Sequence, residues 1–348
     1  MRKLKLISIL LIGSIQLMAQ PIWSKEKAQS WYSKEPWRVG ANFLPSTAIN
    51  QLEMWQKDTW DPVTINRELG WAQAIGMNVM RVYLHDLAWK ADPKGFKKRM
   101  NEFLGIADKH SIKILFTVFD DCWNPDAKIG LQPAPKPGIH NSGWVRSPNK
   151  ETHDDSTQWA YLENYVKDIL NSFKYDKRIF LWDLYNEPGN SDYNQGSLPL
   201  LKKVFEWAWA VRPDQPLSVG VWYDNKTLNE FQLKNSDVIT FHNYGPVESL
   251  QKQLEELKKY GKPVICTEYM ARTRGSKFQT HLPIFKENKV AAINWGLVAG
   301  KSNTIYEWSK PIPDGSEPVL WFHDVFRKDG SPYNQEEVDT IKKLTEKN

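Results

Sequence analysis

A single-domain α/β fold, the (β/α)8 or TIM barrel, is what this 348-residue chain predicts, on three observations. Short apolar runs rich in aromatic and β-branched residues alternate about eight times with stretches of helical apolar spacing. No break in composition divides the chain, and two of the runs close on a glutamate. The barrel then dictates where chemistry belongs, because the working face of such a fold lies at the C-terminal ends of its strands. An open doubly wound sheet is the other topology the same alternation allows.

Taken in order, Ile22 to Pro36 reads as an extended arm, and Arg38-Val-Gly-Ala-Asn-Phe43 as the first strand. A helix follows over Val63 to Ile75, opened by Asp61-Pro62 in the N-cap and N1 arrangement. Asn78 to Tyr83 is the second strand; Phe96, Met100, Phe103, Leu104 and Ala107 share one face of the next helix; Lys113 to Phe119 is the third strand. A Pro- and Gly-rich loop then runs from Asp120 to Asp155, long enough to be functional, and its Trp123 and Trp144 suit a lid that faces substrate. The helix marked by Trp159, Leu162, Val166, Ile169 and Phe173 leads to the fourth strand, Phe180-Leu-Trp-Asp-Leu-Tyr-Asn-Glu-Pro188. Strands at Leu217 to Trp222, Val238 to His242, Pro263 to Glu268 and Ala291 to Trp295 complete the eight. Helices near Leu201 to Val211, Leu228, Leu250 to Leu257, His281 to Glu287 and Val338 to Leu344 separate and follow them.

Composition excludes several classes of function. Lys plus Arg number 46 against 41 Asp plus Glu, a net charge of +5. Three of those positives, Arg2, Lys3 and Lys5, precede the apolar run Leu6 to Met18, a pattern that reads as a secretory signal cut near Ala19. That reading divides the chain into a signal peptide over residues 1–19 and a catalytic domain over 20–348, and predicts a secreted or periplasmic protein. No cysteine follows the run to carry a lipid anchor, and the run is too short for a membrane span, which needs ~20 residues. The remainder is nearly neutral, so nucleic acid binding has no compositional support. Only Cys122 and Cys266 occur, so disulfides do not organise the fold. The 17 Trp are an excess, and flat aromatic faces with polar edges suit sugar rings as well as cores.

The chemistry rests on the strand ends. Period-two alternation in the fourth strand puts Asp183, Tyr185 and Glu187 on one face, and the proline after Glu187 fixes the exit. Pro263-Val-Ile-Cys-Thr-Glu268 is built the same way, with Val264, Cys266 and Glu268 alternating together. Two carboxyl groups at the ends of two buried strands are the minimal equipment for glycosidic bond cleavage: one protonates the leaving oxygen, the other attacks or activates water. Arg81 in the second strand needs a carboxylate partner inside a barrel mouth, and Glu268 is the obvious one. His242 and Tyr244 point the same way and form a hydrogen-bonding bracket; Asn186 stands beside the first acid; Trp295 closes the eighth strand as a platform for a sugar ring. Asn42, His85, Asp86, Asp120 and Asp121 follow strands one to three as further candidates for contact with substrate or for loop caps. No HExxH, P-loop, GxSxG or GxGxxG occurs, so no metal or other cofactor is called for.

The Leu-Tyr-Asn-Glu-Pro run, the His242-x-Tyr244 pair, Glu268, Arg81 and Trp295, in this order along the chain, resemble the clan of retaining β-glycosidases with (β/α)8 barrels, especially the cellulase and mannanase family called family 5. The resemblance implies that Glu187 is the acid/base and Glu268 the nucleophile, with Asn186, His242, Tyr244, Arg81 and Trp295 supporting them. That family commonly ends its third strand with a His-containing motif, where this chain has Phe119-Asp-Asp-Cys-Trp123. The expected protein is an exported retaining β-glycosidase that acts on a carbohydrate substrate. A transglycosylase would use the same residues, and a sugar-binding barrel without catalysis is the reading from another class.

Overall fold

Eight parallel strands form one sheet in the structure, a computed structural model that describes residues 22–346. They are β1 (Val39–Asn42), β2 (Val79–Tyr83), β3 (Lys113–Asp120), β4 (Ile179–Asn186), β5 (Leu217–Ser218), β6 (Ile239–His242), β7 (Val264–Tyr269) and β8 (Ala291–Trp295). Hydrogen-bonded neighbours run β5-β4-β3-β2-β1-β8-β7-β6, so β1 lies beside both β2 and β8. The ring closes between β5 and β6 through Val221, whose N–H donates to Thr240 O and whose carbonyl accepts from His242 N–H, each at 3.0 Å. The predicted fifth strand over Leu217 to Trp222 is therefore only two residues of ladder; beyond it the Val219 N–H turns to the Ser236 hydroxyl, and pairing resumes at Val221. The fold is the (β/α)8 barrel.

The helices are α1 (Lys25–Tyr32), α2 (Gln51–Trp55), α3 (Pro62–Ala74), α4 (Asp86–Ala91), α5 (Pro93–Lys109), α6 (Lys150–Asp154), α7 (Trp159–Phe173), α8 (Leu198–Val211), α9 (Lys226–Asn235), α10 (Val247–Lys258), α11 (Phe278–Glu287) and α12 (Gln335–Thr345). Their starts follow local chemistry. Asp61 caps α3 by accepting from Thr64 N–H with proline at N1, and Asp92 does the same for α5 through Gly95 N–H. In α5 the stripe Phe96, Met100, Phe103, Leu104 and Ala107 is buried, each large side chain contributing about 1.5–3 kcal/mol. Phe103, Phe116 and Trp182 pack there as a chain of rings between helix and sheet.

One expectation fails at the chain's beginning, and another falls on residues that are not described. The run Leu6 to Met18, the proposed signal, lies outside the described residues. The segment expected as an extended arm is largely helix: Ser24 accepts from Lys27 N–H as N-cap, and Trp23, Ala28 and Trp31 form one apolar face. That face packs among Val79, Leu115, Phe180, Ile265 and Ile293, so α1 plugs the barrel at the end opposite Glu187 and Glu268. Among the described residues no helix is long and apolar enough to cross a membrane.

Candidate active site

Strand alternation, taken literally, misplaces the side chains at both acid-bearing ends. In β7 the register jumps from Phe241↔Cys266 to His242↔Glu268, a β-bulge at Thr267. Val264 and Cys266 consequently face the helices while Glu268 turns into the barrel, instead of all three sharing a face. In β4, Asp183 reaches the barrel axis but Tyr185 does not. It packs with Phe119, which in turn packs on Tyr165 of α7, while the next pair, Asp120 and Asn186, points inward and is bonded at 2.9 Å. The backbone then leaves the extended region altogether: Glu187 has φ 44°, a left-handed conformation that costs a non-glycine residue about 1–3 kcal/mol and brings its carboxyl over the mouth.

Arg81 is the hub below. It is fully buried and meets Asp183 Oδ2 through Nε (3.0 Å) and a terminal nitrogen (2.5 Å), and Glu268 Oε1 at 2.6 Å. It also donates to Asn42 Oδ1 (2.9 Å), to Asn186 Oδ1 (2.7 Å) and to the Tyr83 hydroxyl. Burial works against its charge, but Tyr83, Asp183 and Glu268 outweigh that and hold its proton more firmly than usual. One guanidinium therefore pairs with two carboxyl groups.

Glu268 receives three donors: Arg81 and Tyr83 OH (2.8 Å) on Oε1, Tyr244 OH (2.7 Å) on Oε2. Glu187 stands above. Its Oε1 lies 2.8 Å from His242 Nδ1, and its Oε2 accepts from Asn190 Nδ2 (2.6 Å) and the Cys122 thiol (3.3 Å). His242 Nδ1 is also 3.3 Å from Glu268 Oε2, so the ring bridges the pair. One oxygen from each carboxyl group and the His242 nitrogen all fall within 4.8 Å of one another. Burial pushes the Glu187 carboxyl up, as expected from its apolar strand, but the hydrogen bond and charge of His242, with help from Cys122 and Asn190, reverse the sign and hold it below the ordinary range. Burial thus favours a proton on Glu187 and the imidazole opposes it.

A cavity of about 870 Å3 opens over these groups, within the ~300–1,000 Å3 of a small-molecule pocket. Glu187, Glu268, Asn186, His242, Tyr244, Trp123, Trp144 and Trp295 all line it. Trp123 is an exposed rim residue, whereas Trp144 is buried with its indole N–H on Asp120 (2.7 Å). Three other expected contacts fall elsewhere. Arg81 lies wholly under the cavity wall and reaches it only through Glu268 and Asn186. Asn42 spends its amide on Thr267 O and Asn294 O and its oxygen on Arg81, leaving nothing for a sugar. Asp121 is turned away from the cavity: its carboxylate accepts from Tyr185 OH, Gly189 N–H and Ser197 OH and ties the start of one loop to the exit of β4. His85 caps α4 through Leu87 N–H, and Asp86 accepts from the Ser147 and Tyr161 hydroxyls.

Tyr83 was not singled out, although it stands two residues from Arg81 on the same strand and alternation alone could have found it; Asp183 was placed on the inward face but given no role. Trp308, in an irregular segment, and Arg274, at the end of a three-residue 3-10 turn, also line the cavity and carry no periodic signal. Glu187, His242 and Glu268 are the described residues with metal-ligand spacing. Their oxygens already receive protein donors, and Arg81 supplies the positive charge a cation would bring.

Residues 47–301 match the family model described as Cellulase (glycosyl hydrolase family 5). No protein of curated function matches the chain in sequence. Among solved structures, the endo-β-1,4-mannanase of Thermotoga petrophila is 16% identical with a TM-score of 0.59, covering 90% of this chain and 77% of its own. The endo-1,4-β-mannanase of Rhizomucor miehei is 14% identical with a TM-score of 0.58, covering 90% and 95%. An exo-β-1,4-mannosidase from an Opitutaceae bacterium is 16% identical with a TM-score of 0.62, covering 89% and 60%.

Proposed function

The chain belongs to glycosyl hydrolase family 5, and from that premise we propose that it is an exported β-glycosidase in which Glu187 is the acid/base and Glu268 the nucleophile. As a member of the family it is a retaining glycoside hydrolase. The observation that carries the residue assignment is the approach of the two carboxyl groups, with oxygens within 4.8 Å. Facing oxygens this near favour a retaining pair, whose carboxyl groups stand ~5–5.5 Å apart, over an inverting pair at ~6.5–9.5 Å with water between them. The asymmetry of their surroundings gives the order of roles: the guanidinium and two phenols around Glu268 suit a group that must stay ionised, and the imidazole on Glu187 suits one that gives and takes a proton.

In the first step a Glu268 oxygen attacks the anomeric carbon as the bond to the leaving oxygen breaks, and that oxygen takes the proton held by Glu187. Water then enters, Glu187 removes its proton, and the hydroxide oxygen displaces Glu268 from the same carbon. Two inversions restore the original configuration. Asn186 beside the acid and Trp295 under the pocket are the proposed contacts to the reacting ring, with Trp123 and Trp144 at its edges.

The substrate class is β-linked oligo- or polysaccharide. The matching family is named for cellulase and the structural neighbours for mannan-cleaving enzymes, so aryl β-glucosides and β-mannosides come first in a screen of the purified chain. Turnover with product of retained anomeric configuration by NMR is expected; inversion rejects the assignment of Glu268 as nucleophile. Export rests on the basic and apolar opening of the chain. Cell fractionation and N-terminal sequencing should find a product shortened near residue 19 outside the cytoplasm, and full-length protein inside it would overturn that reading.

A further inference from the structure

The cavity is walled on one side and open on the other. Its wall comes from two long segments, the one between β3 and α6 and the one between β8 and α12, which are joined backbone to backbone: Asn141 N–H donates to Ser302 O (2.9 Å) and Ile312 N–H to Gly138 O (3.1 Å). Asn303 adds side-chain bonds to Lys136 O and Ile139 O, and His140 Nδ1 meets Tyr306 O at 2.9 Å. The approach is close enough that a Cβ on Gly138, which has φ +66°, would fall 1.7 Å from Ile312 O.

Aromatic rings face this wall inward in two groups, with Tyr244 of the second packed against the first. Trp144 touches Tyr83 and Trp295 edge-on at 5.1 and 5.6 Å; beyond them His140 reaches Trp308 at 6.3 Å, and Trp308 meets Tyr244 at 4.9 Å. The wall thus curves from the end of β3, past β2 and β8, to the end of β6. Trp144, Trp295 and His140 in it are 3, 8 and 9% exposed. The opposite rim, over β5 and α10, carries the exposed Asp224, Lys252 and Glu256 around the half-buried Trp222 and Tyr223.

We infer that the pocket is blind on the side of the sugar that Glu268 attacks, so the enzyme removes single residues from the non-reducing end of its substrate. The inference rests on the glycosidase reading above and specifies which end that site accepts. A retaining cycle decides which side is which. The leaving group must depart while the sugar stays bonded to Glu268, and water must then reach Glu187 through the vacated space. That space has to join solvent, so it is the open one, next to Glu187 and its neighbours Asn190 and Trp222, whose indole N–H bonds Pro188 O. The walled side, where the two segments are bonded backbone to backbone, is left for the sugar.

The test uses two nitrophenyl substrates of whichever sugar the screen selects, the β-monoside and the β-1,4-linked disaccharide. Expected is immediate nitrophenol release from the monoside. With the disaccharide, a lag is expected during which one free sugar appears first, followed by nitrophenol. Reduced oligosaccharides should shorten one unit at a time from the unreduced end. Nitrophenol and intact disaccharide released together without lag, or internal fragments from the oligosaccharides, overturn the blind pocket while leaving the glycosidase reading standing. No turnover of any aryl β-glycoside overturns both. In the Trp308→Ala variant, direct release of nitrophenol from the disaccharide is expected to rise at least tenfold relative to the monoside; an unchanged ratio in folded variant counts against the wall.

Discussion

Arg81 meets Glu268 alone of the two acids, while His242 lies nearer Glu187, and single substitutions should expose that difference. With Glu187→Ala, activity on natural glycosides is expected to be lost while an activated aryl leaving group still forms the glycosyl-enzyme, and azide should speed turnover with retained configuration. Glu268→Ala should be inactive on both, with azide giving at most a slow product of opposite configuration. Rates of both variants with and without azide, and product anomers by NMR, check the assignment; the reverse pattern exchanges the roles. His242 offers a second check. Its hydrogen bond is what overcomes desolvation at Glu187, so in His242→Phe the carboxyl should titrate at higher pH than in the parent, measured by carbon NMR of labelled glutamate. At this scale the sequence was legible for residue type and strand end. Which face each side chain takes was not, because the bulge at Thr267 and the positive φ of Glu187 are backbone events that a count of alternate residues cannot see.

Elements sort by the same rule. Helices with a long apolar stripe, such as α5 and α7, and those opened by Asp-Pro were readable because burial and capping leave local traces. The segment between β8 and α12 has neither, and its role as half of the cavity wall depends on partners some 160 residues away in the chain. Asp121 shows how a strand-end acid can serve an element instead of a substrate. It collects three donors from β4, the Gly189 turn and Ser197, so Asp121→Ala leaves Tyr185 OH without its partner and loosens the loop carrying Glu187. A loss of about 1–3 kcal/mol is expected in chemical denaturation, with a lower kcat and little change in KM for an aryl monoside. Asp121→Asn, which keeps an acceptor oxygen, should recover part of both.

Across the whole molecule, several carboxyls are buried for architecture and pay for it in pH sensitivity. Glu68 under Ser46 and Asp120 beneath Asn186 are each raised to about 7, and Asp324 to about 6, by burial above all. Unfolded, these groups lose their protons near pH 4. Between there and pH 7 the native state binds more protons, so stability from these groups is full at low pH and falls as pH rises through their native values. The midpoint of thermal unfolding should be higher at pH 5 than at pH 8, and Glu68→Gln should flatten that slope. The helix α1 that plugs the barrel has a consequence in time. Trp23 N–H bonds Asp237 Oδ1 and the Tyr32 hydroxyl bonds Lys289 O and Ala291 N–H, so the earliest described part of the chain is completed by some of its latest strands. During synthesis this helix has to wait, its tryptophans uncovered, until β6 and β8 exist. Contacts of such sequence separation are slow to form, which makes the plug a late step in folding and its open predecessor the species most exposed to aggregation.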